Sequence, residues 1–168
     1  IYPGQKTDLL LDTFYDQYKR LGEILEVIPD RINIHAIPGN HDAVPFHEPQ
    51  PPIPFEYQKV INRNINYLRN PALIDLSGFK ILSYHGGSIF DFINRIPHVN
   101  IQNPVEAMKQ MLKRRHLAPF FGDHTPLLPL KRDHLVIEQV PHVFVTGHLH
   151  SCEAKVHSGV VLINASAW

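Results

Sequence analysis

The sequence predicts an α/β fold on three observations. Short apolar runs typical of strands alternate with segments whose apolar residues recur at helical spacing. Several of these runs stop at a glycine and continue with histidine or asparagine, as strands do when they lead into a binding site. The chain has 168 residues, of which 43% are hydrophobic and 19% are charged. We therefore expect one globular domain spanning residues 1–168.

The first part of the chain is predicted to contain one helix and one strand. The helix has Asp12 or Thr13 as its N-cap and ends before Pro29. Residues 32–37 form an apolar run that predicts a strand. The apolar face of the helix repeats through Phe14, Tyr18, Leu21, Leu25 and Ile28.

A proline-rich segment follows over residues 45–54. It is predicted to be an extended loop, which serves either as a rigid connector or as a rim that contacts a partner or substrate. A second helix is expected after Pro54, because apolar residues again recur at helical spacing. Its apolar face comprises Phe55, Val60, Ile61, Ile65 and Leu68.

The middle of the chain predicts a hairpin and two helices. Ser77-Gly78 separates the apolar runs 72–76 and 79–85, as in a hairpin. A short helix is expected over residues 89–93, and Asn103-Pro104 is a typical start for a longer one. The buried face of this longer helix comprises Val105, Met108, Leu112 and Met111.

The last third is predicted to be mainly strands. The preceding helix has a basic end at residues 113–116, which suits a helix C-terminus; a phosphate contact is the alternative. Residues 135–137 form a short strand or edge, and the continuous apolar run 143–146 predicts a strand buried on both faces. Residues 152–156 and 160–163 predict a further hairpin.

Three of the predicted strands end in a similar way. Each meets glycine and is followed by side chains that bind metals, namely Asn40 and His41, then His85, then His148 and His150. A single histidine in such a position is more often a surface residue, but three similar strand ends are harder to dismiss. Parallel packing would gather these ends at one edge, so we expect the side chains to meet there.

These residue types suit a hydrolytic metal site. His148 and His150 are two positions apart, so in a turn both imidazoles reach one ion or two neighbouring ions. The amide of Asn40 is a neutral hard ligand, and a site without thiolate suits Mn²⁺, Zn²⁺ or Fe²⁺. His41 need not be a ligand. Its neighbour Asp42 can orient it toward a phosphoryl oxygen or a leaving group.

Composition excludes several classes of protein. The formal net charge is +0, so no general basic field holds nucleic acid, and any DNA binding has to be local or shared with a partner. The single cysteine, Cys152, excludes an intrachain disulfide and favours a reducing compartment. No apolar run is long enough to span a membrane. We expect no membrane contact and a cytoplasmic location.

The motifs at Gly39-Asn40-His41-Asp42, His85-Gly86 and Gly147-His148-Leu149-His150 resemble the last three motifs of the calcineurin-like metallophosphoesterase superfamily. Over essentially the whole chain, the sequence resembles more closely the small subunit of the archaeal family D DNA polymerases. The other segments that carry this resemblance are 1–5, 70–72, 104–108 and 115–119.

The resemblance implies a metallophosphoesterase-type two-layer β-sandwich with mixed sheets and flanking helices. It implies two divalent ions, Mn²⁺ above all, and 3′–5′ exonuclease activity that proofreads DNA. The partners would be the large catalytic subunit of a two-subunit replicative polymerase and a single-stranded DNA 3′ end. In this family Asn40, His85 and His148 would hold one ion, His150 would hold the other, and His41 would stabilise the transition state.

One departure from the superfamily pattern affects the second ion. An Asp-x-His motif and a Gly-Asp motif are expected ahead of Asn40, and the sequence has neither there. We therefore expect an N-terminally truncated phosphoesterase domain with an incomplete second metal site. A single-ion or metal-free state of the chain is left open.

Two other functions are left open by the sequence. One is a non-catalytic scaffold subunit of a polymerase, which the neutral net charge and the proline-rich segment favour. The other is a stand-alone metallophosphatase or phosphodiesterase with a small substrate, which the superfamily motifs alone allow. Segment 115–119 argues against the latter because it resembles the polymerase subunit.

Overall fold

The computed structural model describes residue 4 and residues 6–166. The predicted loop at residues 1–5 lies, apart from Gly4, outside the described residues. The helices are α1 (Phe14–Leu25), α2 (Phe55–Gln58), α3 (Ile89–Arg95) and α4 (Pro104–Arg114). The strands are β1 (Ile34–Ala36), β2 (Ile65–Tyr67), β3 (Ala72–Leu76), β4 (Phe79–Tyr84), β5 (Val143–Thr146), β6 (Cys152–His157) and β7 (Val160–Ala165).

The described strands form two sheets. β1 and β2 pair in parallel as a small sheet, and the other strands form a five-stranded sheet of order β3-β4-β5-β7-β6. Within the larger sheet β4, β5 and β7 are parallel neighbours, whereas β3 and β6 pair antiparallel at its two edges. The predicted α/β class with mixed sheets and helices is confirmed.

Helix α1 begins and ends as predicted, although Ile28 of its predicted apolar face lies beyond it. Thr13 is the N-cap, and its hydroxyl accepts a hydrogen bond from the backbone N–H of Asp16 at 3.1 Å. The helix ends at Leu25, before Pro29. Its buried side carries Tyr18 and Gly22, and a Cβ built on Gly22 would lie only 3.2 Å from the Cα of Ile61. Glycine therefore lets α1 approach the segment after α2 closely.

The long helix predicted after Pro54 is wrong. Helix α2 stops at Gln58, and Ile65–Tyr67 forms strand β2 with Ile34 opposite Ile65. Ile61 lies after α2 in a small core with Tyr18 and Ile53, and Ile65 of β2 packs against the same core. The helical spacing arose because neighbouring isoleucines serve different elements, and β-branched residues gain more from strand pairing than from a helix.

Both hairpins are confirmed. The first turns at Ser77-Gly78, where φ is 55° and 91°, and the second at Ser158-Gly159, where φ is 50° and 80°. Two consecutive residues with positive φ match the twist of the flanking strands, which is why short hairpins favour glycine there. By contrast, residues 135–137 form no strand, and Val136 makes a single bridge to His116.

The main core lies between one face of the five-stranded sheet and helices α3 and α4. The predicted buried face of α4 is largely confirmed, since Val105, Met108 and Met111 are buried and Leu112 is partly buried. In β5, Phe144 and Thr146 are buried while the alternate residues are half-buried. The prediction that this strand is buried on both faces is therefore wrong, because only the face of Phe144 and Thr146, which packs with residues of α3 and α4, is buried.

The described helices include no membrane-spanning segment. None of them is both long enough and apolar enough to cross a bilayer.

Candidate metal-binding site

The candidate ligands lie in the loops that follow β1, β4 and β5. In the sheet Tyr84 of β4 pairs with Thr146 of β5, so His85 and His148 leave two parallel strands nearly side by side. Their ring centroids are 4.8 Å apart with an interplanar angle of 65°. Asn40 arrives from the other sheet, and its Oδ1 lies 2.8 Å from Nε2 of His85. Three strand ends from two sheets thus meet at one place.

Gly39 makes this meeting possible. A Cβ built on Gly39 would lie 2.6 Å from Cε1 of His85 and 2.8 Å from its Nδ1. No real side chain tolerates such distances. The glycine after β1 therefore serves the close approach of the imidazole to the loop, rather than only ending the strand.

The loops after β4 and β5 are joined directly. The backbone N–H of Gly147 donates to the carbonyl of His85 at 3.0 Å. Gly86 has φ of 106°, and a Cβ there would lie 3.1 Å from the carbonyl oxygen of Gly147. His148 has φ of 68°, which is unusual for a residue with a side chain and is a feature of functional loops.

A buried asparagine on the last strand holds the loop that carries His148 and His150. Asn164 of β7 is fully buried, and its Nδ2 donates to the carbonyls of Leu149, at 3.2 Å, and Ser151. Its Oδ1 accepts from the hydroxyl of Thr146 at 2.9 Å. This residue could not be identified from the sequence, because an asparagine within a strand carries no signal of the loop it contacts.

A second buried asparagine fixes the loop after β4. Oδ1 of Asn70 accepts from the backbone N–H of His85 at 2.8 Å, and Nδ2 donates to Oε1 of Gln50 at 2.8 Å. The backbones of Gln50 and Asn70 also exchange two hydrogen bonds, of 2.8 and 3.0 Å. The proline-rich segment is therefore tied to the loop of a candidate ligand.

Asp42 anchors its own loop to helix α1. Its Oδ1 accepts from the Tyr18 hydroxyl at 2.6 Å, and its Oδ2 accepts from the Gly39 N–H at 2.8 Å. The Tyr18 oxygen in turn accepts from the N–H of Ala43 at 3.3 Å. These contacts hold the turn that presents Asn40 and His41. An orienting contact from Asp42 to His41 stays a prediction.

The electrostatics favour neutral imidazoles at the site. The pKa of His85 is lowered to about 4, first by burial and then by the nearby imidazoles of His148 and His41. Burial also lowers the pKa of His148, with contributions from His41, His124 and His150. The neutral form of histidine is the one that binds metals, so both rings are ready to act as ligands at neutral pH.

His41 and His150 line a large groove together with the other candidates. The groove has a volume of about 1030 Å³ and runs from α1, at Leu21 and Ile24, to the loops after β1, β4 and β5. All five predicted site residues from Asn40 to His150, and Asp42, line it. The structure therefore brings the predicted residues together at one open groove.

Two further titratable residues lie beside the site and were missed by sequence reasoning. Glu48 and His124 line a second cavity of about 360 Å³ that also includes Asn40, His85 and His148. Oε2 of Glu48 accepts from the Tyr84 hydroxyl at 2.6 Å, and burial raises the pKa of Glu48 to about 7. Neither residue belongs to a strand–glycine–histidine pattern, so no local signal marked them.

The donor set fits part of a metal site. Two ligands about 2.1 Å from one ion and at right angles lie about 3 Å apart, so the 2.8 Å between Asn40 Oδ1 and His85 Nε2 suits adjacent positions on an ion. Within residue 4 and residues 6–166, no group of three or more His, Cys, Asp or Glu side chains is arranged to hold an ion. Asn40, His85 and His148 thus form a partial ligand set that needs completion.

Residues 4–155 match the model of the family that comprises the B subunits of DNA polymerases alpha and epsilon, and the chain belongs to this family. It is similar over its whole length to the DNA polymerase II small subunits of Archaeoglobus fulgidus (43% identical), Methanothermobacter thermautotrophicus (42%) and Pyrococcus furiosus (41%). The chain covers 34%, 35% and 28% of these relatives, or about a third of their length. The resemblance to an archaeal polymerase small subunit is confirmed.

Proposed function

We propose that this chain carries a metal-dependent phosphodiesterase site of a DNA polymerase small subunit, and that the site removes nucleotides from a DNA 3′ end. The strongest support is that Asn40, His85 and His148 converge from two sheets. Oδ1 of Asn40 lies 2.8 Å from Nε2 of His85, and both atoms can bind a metal. The relatives are named DNA polymerase II small subunits, which supports the polymerase-subunit part of the proposal.

Each residue has a role in this proposal. Asn40, His85 and His148 would hold one ion, and His150 would contribute to a second whose other ligands come from outside this set. Mn²⁺ is the first candidate and Zn²⁺ or Fe²⁺ the alternatives; such ions supply an activated water and offset charge on the phosphate. His41 lines the same groove and would stabilise the charge that develops on the phosphoryl oxygens or leaving group.

The rest of the chain positions these groups. Asp42 and Tyr18 hold the turn of Asn40 and His41, while Asn70 holds the backbone of His85. Buried partners of this kind keep donors in place before substrate binds, which is what catalysis by electrostatic stabilisation requires.

The proposal includes two partners. The relatives are called small subunits, so a large polymerase subunit is the expected protein partner. The substrate would be the single-stranded 3′ end of DNA. Because the formal net charge of the chain is +0, most of the electrostatic affinity for DNA would come from outside this chain.

The test uses the full-length small subunit in complex with its large subunit, Mn²⁺ and a primer with a mismatched 3′ end. We expect release of the terminal nucleotide, and we expect His41→Ala to lower the rate by about 10²- to 10⁴-fold, the usual range for such a group. His35→Ala is the matched control, because His35 is an exposed histidine on β1 that lines neither cavity.

Two results would reject the proposal. One is the absence of nucleotide release by the parent complex, which would leave a scaffold subunit if the complex still assembles. The other is a His41→Ala complex as active as the parent. Hydrolysis of a generic aryl phosphate with none of DNA would indicate a small-substrate phosphodiesterase instead.

A further inference from the structure

The second cavity beside the candidate site is not explained by the metal ligands. It has a volume of about 360 Å³, within the range of small-molecule sites, and shares Asn40, His85 and His148 with the large groove. Its remaining walls come from Gly87, from the proline-rich segment and from the loop after α4. A group bound at the ligands therefore has direct access to this cavity.

The side-chain rings of Phe46 and His124 line the cavity. Phe46 is 59% exposed, which is high for a large apolar side chain, and His124 is also exposed. Pro126 adds a further apolar surface. Exposed rings beside a polar centre are the usual platform for nucleobases, because every base offers a flat face that stacks on an aromatic ring.

The two walls are held together before any ligand binds. The backbone N–H of Glu48 donates to the carbonyl of Pro126 at 2.8 Å, and the N–H of Leu128 donates to the carbonyl of Glu48 at 2.8 Å. The N–H of His124 donates to Oδ1 of the buried Asp91 at 2.9 Å. The cavity is thus preformed in the fold.

The ring of His124 is linked to the candidate ligands through Phe90. The Phe90 ring lies 5.9 Å from that of His124 and 5.4 Å from that of His148, edge-on to both. This packing fixes the position of the His124 ring relative to the imidazole of His148.

The cavity also contains one acidic group. Glu48 is only 3% exposed, and its Oε2 is engaged by Tyr84. Its Oε1 faces Gly87, where a Cβ would come within 2.7 Å, so glycine leaves room for this carboxyl group. An acceptor at this position suits the exocyclic amino group of a base.

We propose that the cavity walled by Phe46, Glu48 and His124 is a subsite for the terminal nucleobase of a DNA 3′ end, adjacent to the ligands that would hold its phosphate. This inference rests on the proposed phosphodiesterase function. It adds the substrate group that the site recognises and the residues that recognise it.

A binding measurement tests the subsite without any turnover. Calorimetric titration of the polymerase complex with Mn²⁺ compares deoxyadenosine 5′-monophosphate with 2-deoxyribose 5-phosphate, which lacks the base. We expect the nucleotide to bind about 5- to 150-fold more tightly, the range for stacking of one base. Phe46→Ala and His124→Ala should each reduce this preference and leave the affinity for the sugar phosphate unchanged.

Phe121→Ala is the matched control. Phe121 is 83% exposed and belongs to the same loop as His124, but it does not line the cavity. It should keep the full preference for the nucleotide. Equal binding of the two ligands by the parent complex, or no binding of either, would overturn the subsite, as would an equal loss in the control variant.

Cleavage separates this inference from the proposed function. A primer with an abasic 3′-terminal residue should be cut more slowly than one with a normal terminus. In Phe46→Ala and His124→Ala the cleavage rates of the two primers should lie closer together. Equal cleavage of both primers by the parent would overturn the subsite alone. A nucleotide preference in binding without any cleavage would reject the phosphodiesterase and retain the subsite.

Discussion

Replacing Gly39 by alanine tests the close approach on which the candidate site depends. The new Cβ would lie 2.6 Å from Cε1 of His85, and an ordinary contact needs about 3.4 Å, so the ring has to move by about 0.8 Å. His85 is held by Asn40 and by its backbone bond to Asn70, and such overpacking costs about 1–3 kcal/mol. The φ of Gly39 is outside the left-handed region, so the penalty is steric rather than conformational.

A double-mutant cycle measures this clash directly. Urea unfolding of Gly39→Ala should show the loss of about 1–3 kcal/mol. In a His85→Ala background the same change should cost nothing or stabilise slightly, since the imidazole is gone and alanine restricts the unfolded chain. An equal loss in both backgrounds would refute the reasoning. Gly122→Ala is the contrasting case: its φ is 76° and a Cβ there meets nothing within 4 Å, so its loss is conformational and should be the same in both backgrounds.

Two further changes test the buried contacts around the site. Tyr18→Phe removes the donor to Asp42, and urea unfolding should show a loss of about 1–2 kcal/mol, since hydrogen bonds to a charged group are among the stronger ones. Burial raises the pKa of Glu48 from 4.5 to about 7. Between pH 4.5 and about 7 the folded protein therefore keeps a proton that the unfolded chain has lost. As a result, this carboxyl group makes the free energy of unfolding fall as pH rises, by about 3 kcal/mol at most. Glu48→Gln should remove that fall.

Exposed residues of the same type are the controls for these two changes. Tyr15 on α1 is 55% exposed, so Tyr15→Phe should leave the free energy of unfolding within about 0.5 kcal/mol of the parent. Glu56 is exposed, and Glu56→Gln should keep the pH dependence of the parent. A Tyr18→Phe protein as stable as the parent, or an unchanged pH profile for Glu48→Gln, would contradict the roles assigned to these residues.

Elements specified by neighbouring residues were predictable from the sequence. Ser77-Gly78 and Ser158-Gly159 adopt the positive φ values of tight turns, which few other pairs do, so both hairpins could be located. Asn103-Pro104 likewise marked the start of α4. The helix predicted after Pro54 failed because the state of Ile65 depends on its distant partner Ile34, which no local pattern contains.

The candidate site divides in a similar way. The sequence pointed to Asn40, His85 and His148 because each comes after a predicted strand and is next to a glycine in the sequence. Their meeting was predictable for His85 and His148, since parallel neighbouring strands end at the same edge of a sheet. Glu48 and His124 were not found, since each reaches the site through its own loop and only the folded chain places those loops together.

By itself, the sequence determined the class of fold, both hairpins, the long helix α4 and the residue types that point to metal chemistry. It did so because turns, caps and apolar spacing act over a few residues. Only the tertiary structure decided that Gly39 makes room for His85, that buried asparagines hold the site loops, and that Phe46, Glu48 and His124 wall a cavity beside the ligands. These contacts join residues far apart in the chain, and their energies arise only when the chain is packed.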